Sequence, residues 1–300
     1  MYHEVMMTVW RIIVSMRPGQ WTKNLVLFAG VVFSNRFLEP GLIKVAVSAF
    51  AVFCVLSGAV YLINDVADRR RDRGHPGKGK RPIAQGTLGP ATATATAIVL
   101  AAGALAVSTL LGREFLLLAA VFLGVNLLYT FALRSIVILD VIAISFSFLI
   151  RAMAGVVVLH PQAPGLELSP WLWICTLFLS LFLAVCKRRY EFCRLEAASE
   201  HRASLKEYSA QLLDQLVGLT ATSSIISYSI YTVWPATVDK FHTRDLVYTI
   251  PFVVFGIMRY LYLVYTRHEG GDPSGVLLAE KAIIADVFLW FVAVAYIIGR

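Results

Sequence analysis

Residues 61–86 read YLINDVADRRRDRGHPGKGKRPIAQG, and how this stretch is interpreted sets how the rest of the chain is read. It leaves a long apolar run with Asn64, Asp65, Asp68 and Asp72, then passes into Arg69, Arg70, Arg71, Arg73, Lys78, Lys80 and Arg81. If the apolar helix continues to Asp72, the three aspartates fall at i, i+3 and i+7, on one stripe with Asn64 at its edge. Carboxylates so placed repel one another, and the macrodipole disfavours anions at a helix C-terminus. Bound cations relieve that cost. Magnesium suits the place, because it takes a few carboxylates and leaves its other positions to water and substrate phosphates. The arginines and lysines that follow would hold the remaining phosphate oxygens. The plainer reading is a solvated, self-neutralising loop. The one-sided placement of the acids beside a membrane favours the first.

The membrane itself is read from composition. The chain has 300 residues, 58% of them hydrophobic and 15% charged. That is too apolar for a soluble domain and too long for a single span, so the expected class is an all-α polytopic membrane protein. A β-barrel would show short alternating segments, whereas these runs are continuous. The six histidines are scattered without HExxH, and the four cysteines form no CxxC pair. The cysteines therefore read as packing residues rather than a disulfide framework. The N-terminus shows no signal-peptide pattern.

Nine segments are each long enough to cross the bilayer core, near 22–38, 42–64, 91–111, 115–133, 136–158, 170–186, 213–234, 246–265 and 277–298. One transmembrane domain over 1–300 is expected, with 1–20 as a short interfacial helix ended by Pro18-Gly19, or a loose tail. Val5, Val9, Ile12 and Met16 share one side of it. The seventh segment is polar for a span, but Thr220, Thr222, Ser223, Ser224 and Ser227 can bond back to their own helix or to neighbours. The ATATATA run at 91–97 reads as a small-residue packing face. With the N-terminus inside, 19 Lys and Arg fall on inner segments and six on outer ones, the six being Arg36, Lys44, Arg113, Lys240, Arg244 and Arg300. By the positive-inside rule the loops 65–90 and 187–212 face the cytoplasm, and the protein is placed in the plasma membrane.

Other polar residues are candidates by position. Asp140 and Arg151 lie eleven residues apart in one apolar segment, close to three turns, so they share a face with Ser147. An intramembrane charge costs about 2.5–3.5 kcal/mol on insertion scales, so that face lines a polar cavity or pairs with another helix. Arg259 is a similar case. Tyr129, Arg134 and Asp140 bracket a short inner turn. The run CKRRYEF at 186–192 begins where the sixth segment ends, and Glu191 lies four residues after Lys187, placed to orient it or to bind metal. Trp21, Lys23 and Asn24 open the first span; the first two are ordinary interface anchors, while Asn24 can reach an anion. HEGGDPSG at 268–275 is a turn or a lid. No phosphate-binding P-loop, GxGxxG or GxSxG is present, and the basic residues follow the membrane rule rather than a nucleic-acid surface.

Asn64, Asp65, Asp68 and Asp72, followed by Arg81-Pro82-Ile83-x-x-Gly86, resemble the first signature of the UbiA-type intramembrane prenyltransferases. The resemblance implies nine transmembrane helices in a bundle around a central cavity, open to the cytoplasm and laterally to lipid, with Mg²⁺ on Asp65, Asp68 and Asp72. Most members carry a second acidic motif, DxxxD, after the sixth helix; here that place holds Lys187-Arg188-Arg189-Tyr190-Glu191. RPGQWTKN at 17–24, YTFALRSIVILDV at 129–141, SFLIRAMAG at 147–155 and CKRRYE at 186–191 resemble one branch, the decaprenyl-phosphate phosphoribosyltransferases. That branch joins 5-phosphoribosyl 1-diphosphate to a polyprenyl phosphate for cell-wall arabinan precursors.

On this reading the metal-bound aspartates grip the diphosphate of the donor. Lys23, Lys78, Arg81, Arg134, Lys187 and Arg188 contact phosphates. Asn24, Asn64, Tyr129 and Asp140 hold the ribose or orient those cations, and Arg151 sits deeper. Small-residue helix faces permit a homo-oligomer. Two rivals stay open: prenyl transfer from a prenyl diphosphate to an aromatic acceptor, and a transporter or lipid flippase.

Overall fold

The computed structural model describes every residue except 1, 33, 35–38, 75–76, 164–169, 195–202, 268 and 300. Among the described residues there is no strand, and helices account for nearly all of the chain. Among the described residues, seven helices are long and apolar enough to span a membrane: Pro40–Ala67, Pro90–Leu110, Arg113–Phe131, Leu139–Val157, Ala210–Val233, Asp245–Thr266 and Lys281–Ile298. The expected sixth segment lies within the helix Pro170–Arg194, which runs on for two turns through the basic cluster. That cluster is therefore helical, not a post-helical loop.

The expected first span differs most. Residues Pro18–Phe28 form a 3-10 helix, followed by the short helix Ala29–Val32. The backbone of these two segments packs closely on the Leu139–Val157 helix. A Cβ at Gly155 would lie 2.0 Å from the Leu27 carbonyl oxygen, and one at Gly30 would lie 2.3 Å from the Gly155 carbonyl oxygen. Only glycine permits that approach. Residues 33 and 35–38 of that segment, Arg36 among them, fall outside the described residues, as do Arg202, Arg300, His268 and part of the 187–212 loop.

The chain divides into two compact units, Met1–Leu133 with Ile150–Leu168, and Arg134–Leu149 with Ser169–Arg300. In the first, Pro40–Ala67 packs against Pro90–Leu110, Arg113–Phe131 and the 3-10 segment. Ala93, Ala97 and Ala101 recur every four residues and are buried with Ala59 and Leu62, so part of the alanine–threonine run does serve as a packing face. The helix Tyr2–Ser15 splits its expected stripe: Met16, just beyond its end, is buried, whereas Val5 and Val9 are exposed.

The second unit is built on Pro170–Arg194, Ala210–Val233, Ile250–Thr266 and Lys281–Ile298. The polar Ala210–Val233 helix is long and apolar enough to span, and its hydroxyls bond back along it as expected: Thr220 to Leu216 O, Ser224 to Thr220 O and Ser227 to Ser223 O. All four cysteines are free.

Candidate active site

The apolar helix stops at Ala67, and Asp68 stands at the break (φ −93°, ψ 2°) before the short helix Arg69–Arg73. The expected unbroken stripe to Asp72 is thus interrupted. Asp65 and Asp72 are buried, and both turn to Arg81, whose Nη1 lies 3.1 Å from Asp65 Oδ1 and 2.6 Å from Asp72 Oδ2. Asp68 has Arg71 Nη1 at 3.6 Å. Arg17 Nη2 also donates to Asp65 Oδ1, a partner that sequence reading missed.

Local rules place Arg81. Its backbone is extended, Pro82 opens the helix Pro82–Gln85, and Gly86 closes it in the left-handed region (φ 81°). Proline first and glycine just past the end is the ordinary pattern for a short helix. Ile83 and Leu88 are buried among Ala59 and Leu62, which pins the loop to the helix that carries Asp65. Arg73 Nε donates to Ala84 O at 3.1 Å and closes the loop on itself.

Arg17 is placed at a cost. It adopts a left-handed conformation (φ 54°, ψ 66°), which for a side chain is unfavourable by about 1–2 kcal/mol. A weak sequence signal existed, since Arg17 precedes a Pro-Gly pair at the end of a helical pattern.

The other candidates of the first unit gather around Asn24. Arg151 Nε donates to Asn24 Oδ1 at 2.7 Å, Ser57 Oγ approaches the same oxygen at 3.4 Å, and Asn24 Nδ2 reaches Cys54 Sγ at 3.3 Å. The Arg151 guanidinium lies 4.5 Å from the centre of the Phe122 ring, so a buried charge meets an amide and an aromatic face. Asn64 accepts a hydrogen bond from Thr130, a neighbour of Tyr129 that the sequence did not single out. Lys23 and Lys78 are half-buried on the 3-10 helices Pro18–Phe28 and Lys78–Lys80.

The remaining candidates belong to the second unit. Asp140 is fully buried and accepts from Arg188 Nε at 2.7 Å, Tyr208 OH at 2.8 Å and Ser204 Oγ at 3.1 Å. Arg188 Nη1 donates to Glu191 Oε2 at 2.7 Å, so Glu191 serves Arg188, a pairing the Lys187 spacing did not suggest. Tyr208 OH in turn accepts the Ile138 N–H at 2.9 Å. Burial, reinforced by the nearby Asp140 charge, pushes the Tyr208 phenol well up and keeps it a donor. Asp140 and Arg151 share a helix but have separate partners, and Ser147 is buried. Arg134 is half-buried in the turn before that helix. The 268–275 loop packs through Gly270 and Gly271 on Tyr190.

Among the described residues, no three His, Cys, Asp or Glu side chains converge as a ready-made metal set. Yet Asp65 and Asp72 already seat one guanidinium nitrogen between them. Two buried carboxylates that share a cation form an oxygen-only donor set that fits a hard divalent ion.

Residues 25–273 match the UbiA prenyltransferase family. The chain belongs to the UbiA prenyltransferase family. This UbiA-family chain is 33% identical over 287 residues to a decaprenyl-phosphate phosphoribosyltransferase of Corynebacterium glutamicum, covering 92% of this chain and 83% of that protein. It is 33% identical over 291 residues to the Mycolicibacterium smegmatis protein of the same name, covering 93% and 89%. A UbiA homolog from Archaeoglobus fulgidus, solved bound to GPP and Mg²⁺, shares the fold with a TM-score of 0.71 at 15% identity, covering 97% of this chain and all of that one. The UbiA-family chain is a multi-pass membrane protein and a transferase of that family.

Proposed function

We propose that the chain transfers the 5-phosphoribosyl group of 5-phosphoribosyl 1-diphosphate to decaprenyl or another polyprenyl phosphate, releasing pyrophosphate. The step would depend on Mg²⁺ and supply cell-wall arabinan precursors. The names of its relatives support the choice of substrates. The observation that carries the site assignment is the single guanidinium nitrogen of Arg81 held between two buried carboxylates.

Asp65, Asp72 and Asp68 would hold Mg²⁺, which supplies neutralising charge for the departing pyrophosphate. Arg81 then exchanges carboxylate for diphosphate oxygens, a match for its planar fork. Lys23 and Lys78 add charge for the phosphates. The bond from ribose carbon 1 to pyrophosphate breaks, the pyrophosphate keeps the electron pair, and an oxygen of the lipid phosphate bonds to carbon 1. A phosphate monoester is already ionised at neutral pH, so positioning and electrostatics do most of the work and no strong base is required. Asn64 and Tyr129 orient the ribose, while Asn24 and Arg151 hold each other. Roles for Arg134, Asp140, Lys187, Arg188 and Glu191 on a substrate belong to the same proposal and are tested one substitution at a time. Nine spans, a cavity open to lipid and cytosolic loops at 65–90 and 187–212 complete the reading.

The test is product formation by the purified chain in detergent. Radiolabelled phosphoribosyl diphosphate with polyprenyl phosphate and Mg²⁺ should give a labelled lipid. Product only from a prenyl diphosphate and hydroxybenzoate would replace this reading with aromatic prenylation, and no covalent product would leave transport.

A further inference from the structure

Arg17 is not part of the aspartate signature, yet the fold works to bring it there. The helix Tyr2–Ser15 is tied down by Arg11 Nη1 on Thr87 O at 2.9 Å and by Trp21 Nε1 on Met16 O at 3.2 Å. Met16 fills the space above Gly58, where an added Cβ would meet its Cε at 2.6 Å. Gly58 and Asp65 are seven residues apart on one helix, about two turns, so they lie on the same face. The Met16 contact therefore sets the next residue, Arg17, within reach of Asp65. The left-handed backbone of Arg17 completes the reach.

Asp65 Oδ1 thus accepts two guanidinium groups, Arg17 and Arg81. Arg81 has a second carboxylate in Asp72. Arg17 has the Tyr61 ring, whose centre is 4.8 Å from its guanidinium carbon, so it keeps an attractive partner if the carboxylate is withdrawn.

We propose that Arg17 is a built-in counter-cation of Asp65, which a divalent metal ion must displace, so that it weakens metal binding until the diphosphate donor arrives to receive the freed guanidinium. The inference rests on the metal role given to Asp65 above. Arg17 is a positioning residue: it acts on the metal through Asp65. Its consequence is coupled binding, in which donor and metal each favour the other and the metal alone binds weakly. In the donor-free protein the two cations compete for one carboxylate oxygen, and removing one tightens the other.

Mn²⁺ titration of the full-length chain in detergent without donor, followed by electron paramagnetic resonance of free Mn²⁺, reads this directly. Arg17→Met should bind Mn²⁺ about tenfold more tightly than the unaltered chain, within the usual range for coupled sites. Arg17→Lys should restore most of the weaker affinity. Equal or weaker binding by Arg17→Met, or binding by neither protein, overturns the proposal. A second measurement needs no variant. Hydrogen exchange at the Gln20 amide, which donates to Arg17 O at 2.9 Å, should quicken when Mn²⁺ binds the unaltered chain. Unchanged or slower exchange counts against displacement. Phosphoribosyl transfer is assayed in parallel: its failure overturns the donor assigned above, not the Mn²⁺ comparison, because the titration contains no donor.

Discussion

Arg188 Nε lies 2.7 Å from Asp140 Oδ2, and the two side chains are 1% and 0% exposed. Ser204 and Tyr208 bring the segment before the Ala210–Val233 helix onto the same carboxylate. Breaking a buried pair from one side leaves an uncompensated charge and costs about 3–5 kcal/mol. Asp140→Ala should therefore lower the melting temperature sharply in detergent. The double variant Asp140→Leu with Arg188→Met should recover only part of the loss, because it removes the lone charge but also the bonds to Glu191, Tyr208 and Ser204. An unchanged melt for Asp140→Ala would refute a structural role for the pair.

Gly155→Ala should prevent normal folding, because the new methyl would stand 2.0 Å from the Leu27 carbonyl oxygen. Overpacking of this kind costs about 1–3 kcal/mol or more when backbone must move. Gly103→Ala is the matched control, since nothing lies within 4 Å of its Cβ position. Yields of monodisperse protein on size exclusion compare the two, and equal yields would contradict the close approach.

Asp65→Asn and Asp72→Asn should each cut turnover by about 10²–10³, the range for losing an electrostatic catalytic group, while the protein still inserts. Chelation with EDTA should abolish the activity and added Mg²⁺ restore it. Arg81→Lys keeps the charge but loses the planar fork proposed to receive the diphosphate oxygens, so it too should be impaired. Near-normal turnover in either aspartate variant would remove the metal assignment.

Ile138 is a β-branched residue at φ 69°, in the region that favours glycine. Its side chain is 43% exposed, so removal loses only part of a core residue's packing. Ile138→Gly should be neutral or stabilising by about 1 kcal/mol. A marked fall in melting temperature would show that the isoleucine side chain matters more than the backbone.

Glu280 accepts hydrogen bonds from Arg259 and from the Ile283 N–H, and the Arg259 bond is the larger cause holding its carboxyl below the usual range. A depressed folded-state pKa stabilises above the unfolded value and loses that stability as pH falls through the folded one. Melting temperature should therefore drop as pH falls below about 4.5, where free glutamates protonate. Glu280→Gln should be less stable at neutral pH and flatter in that acid range. Parallel pH profiles for the two proteins would exclude this contribution.

The sequence made the helical class legible because hydropathy and length decide it, and nearly every apolar segment beyond residue 40 became a helix. The aspartate signature and Arg81-Pro82-x-x-x-Gly86 were legible for a different reason: their geometry is local, set by a helix end, a proline and a glycine. What stayed hidden were pairings across long separations. Asn24 and Arg151 were each singled out, but nothing in their spacing says that they bond. Asp140 and Arg151 share a face by periodicity, and a face does not name a partner. The close packing of Pro18–Phe28 on Gly155 was invisible because the two lie far apart along the chain. By sequence Arg17 is one inner cation among many, and its reach to Asp65 depends on Met16 seating over Gly58.

The clasp of Arg73 on Ala84 fastens two points of the chain eleven residues apart, so the backbone between them is closed into a ring. Arg81 is carried on that ring, and the position of its guanidinium is thereby tied to the helix end that bears Asp72.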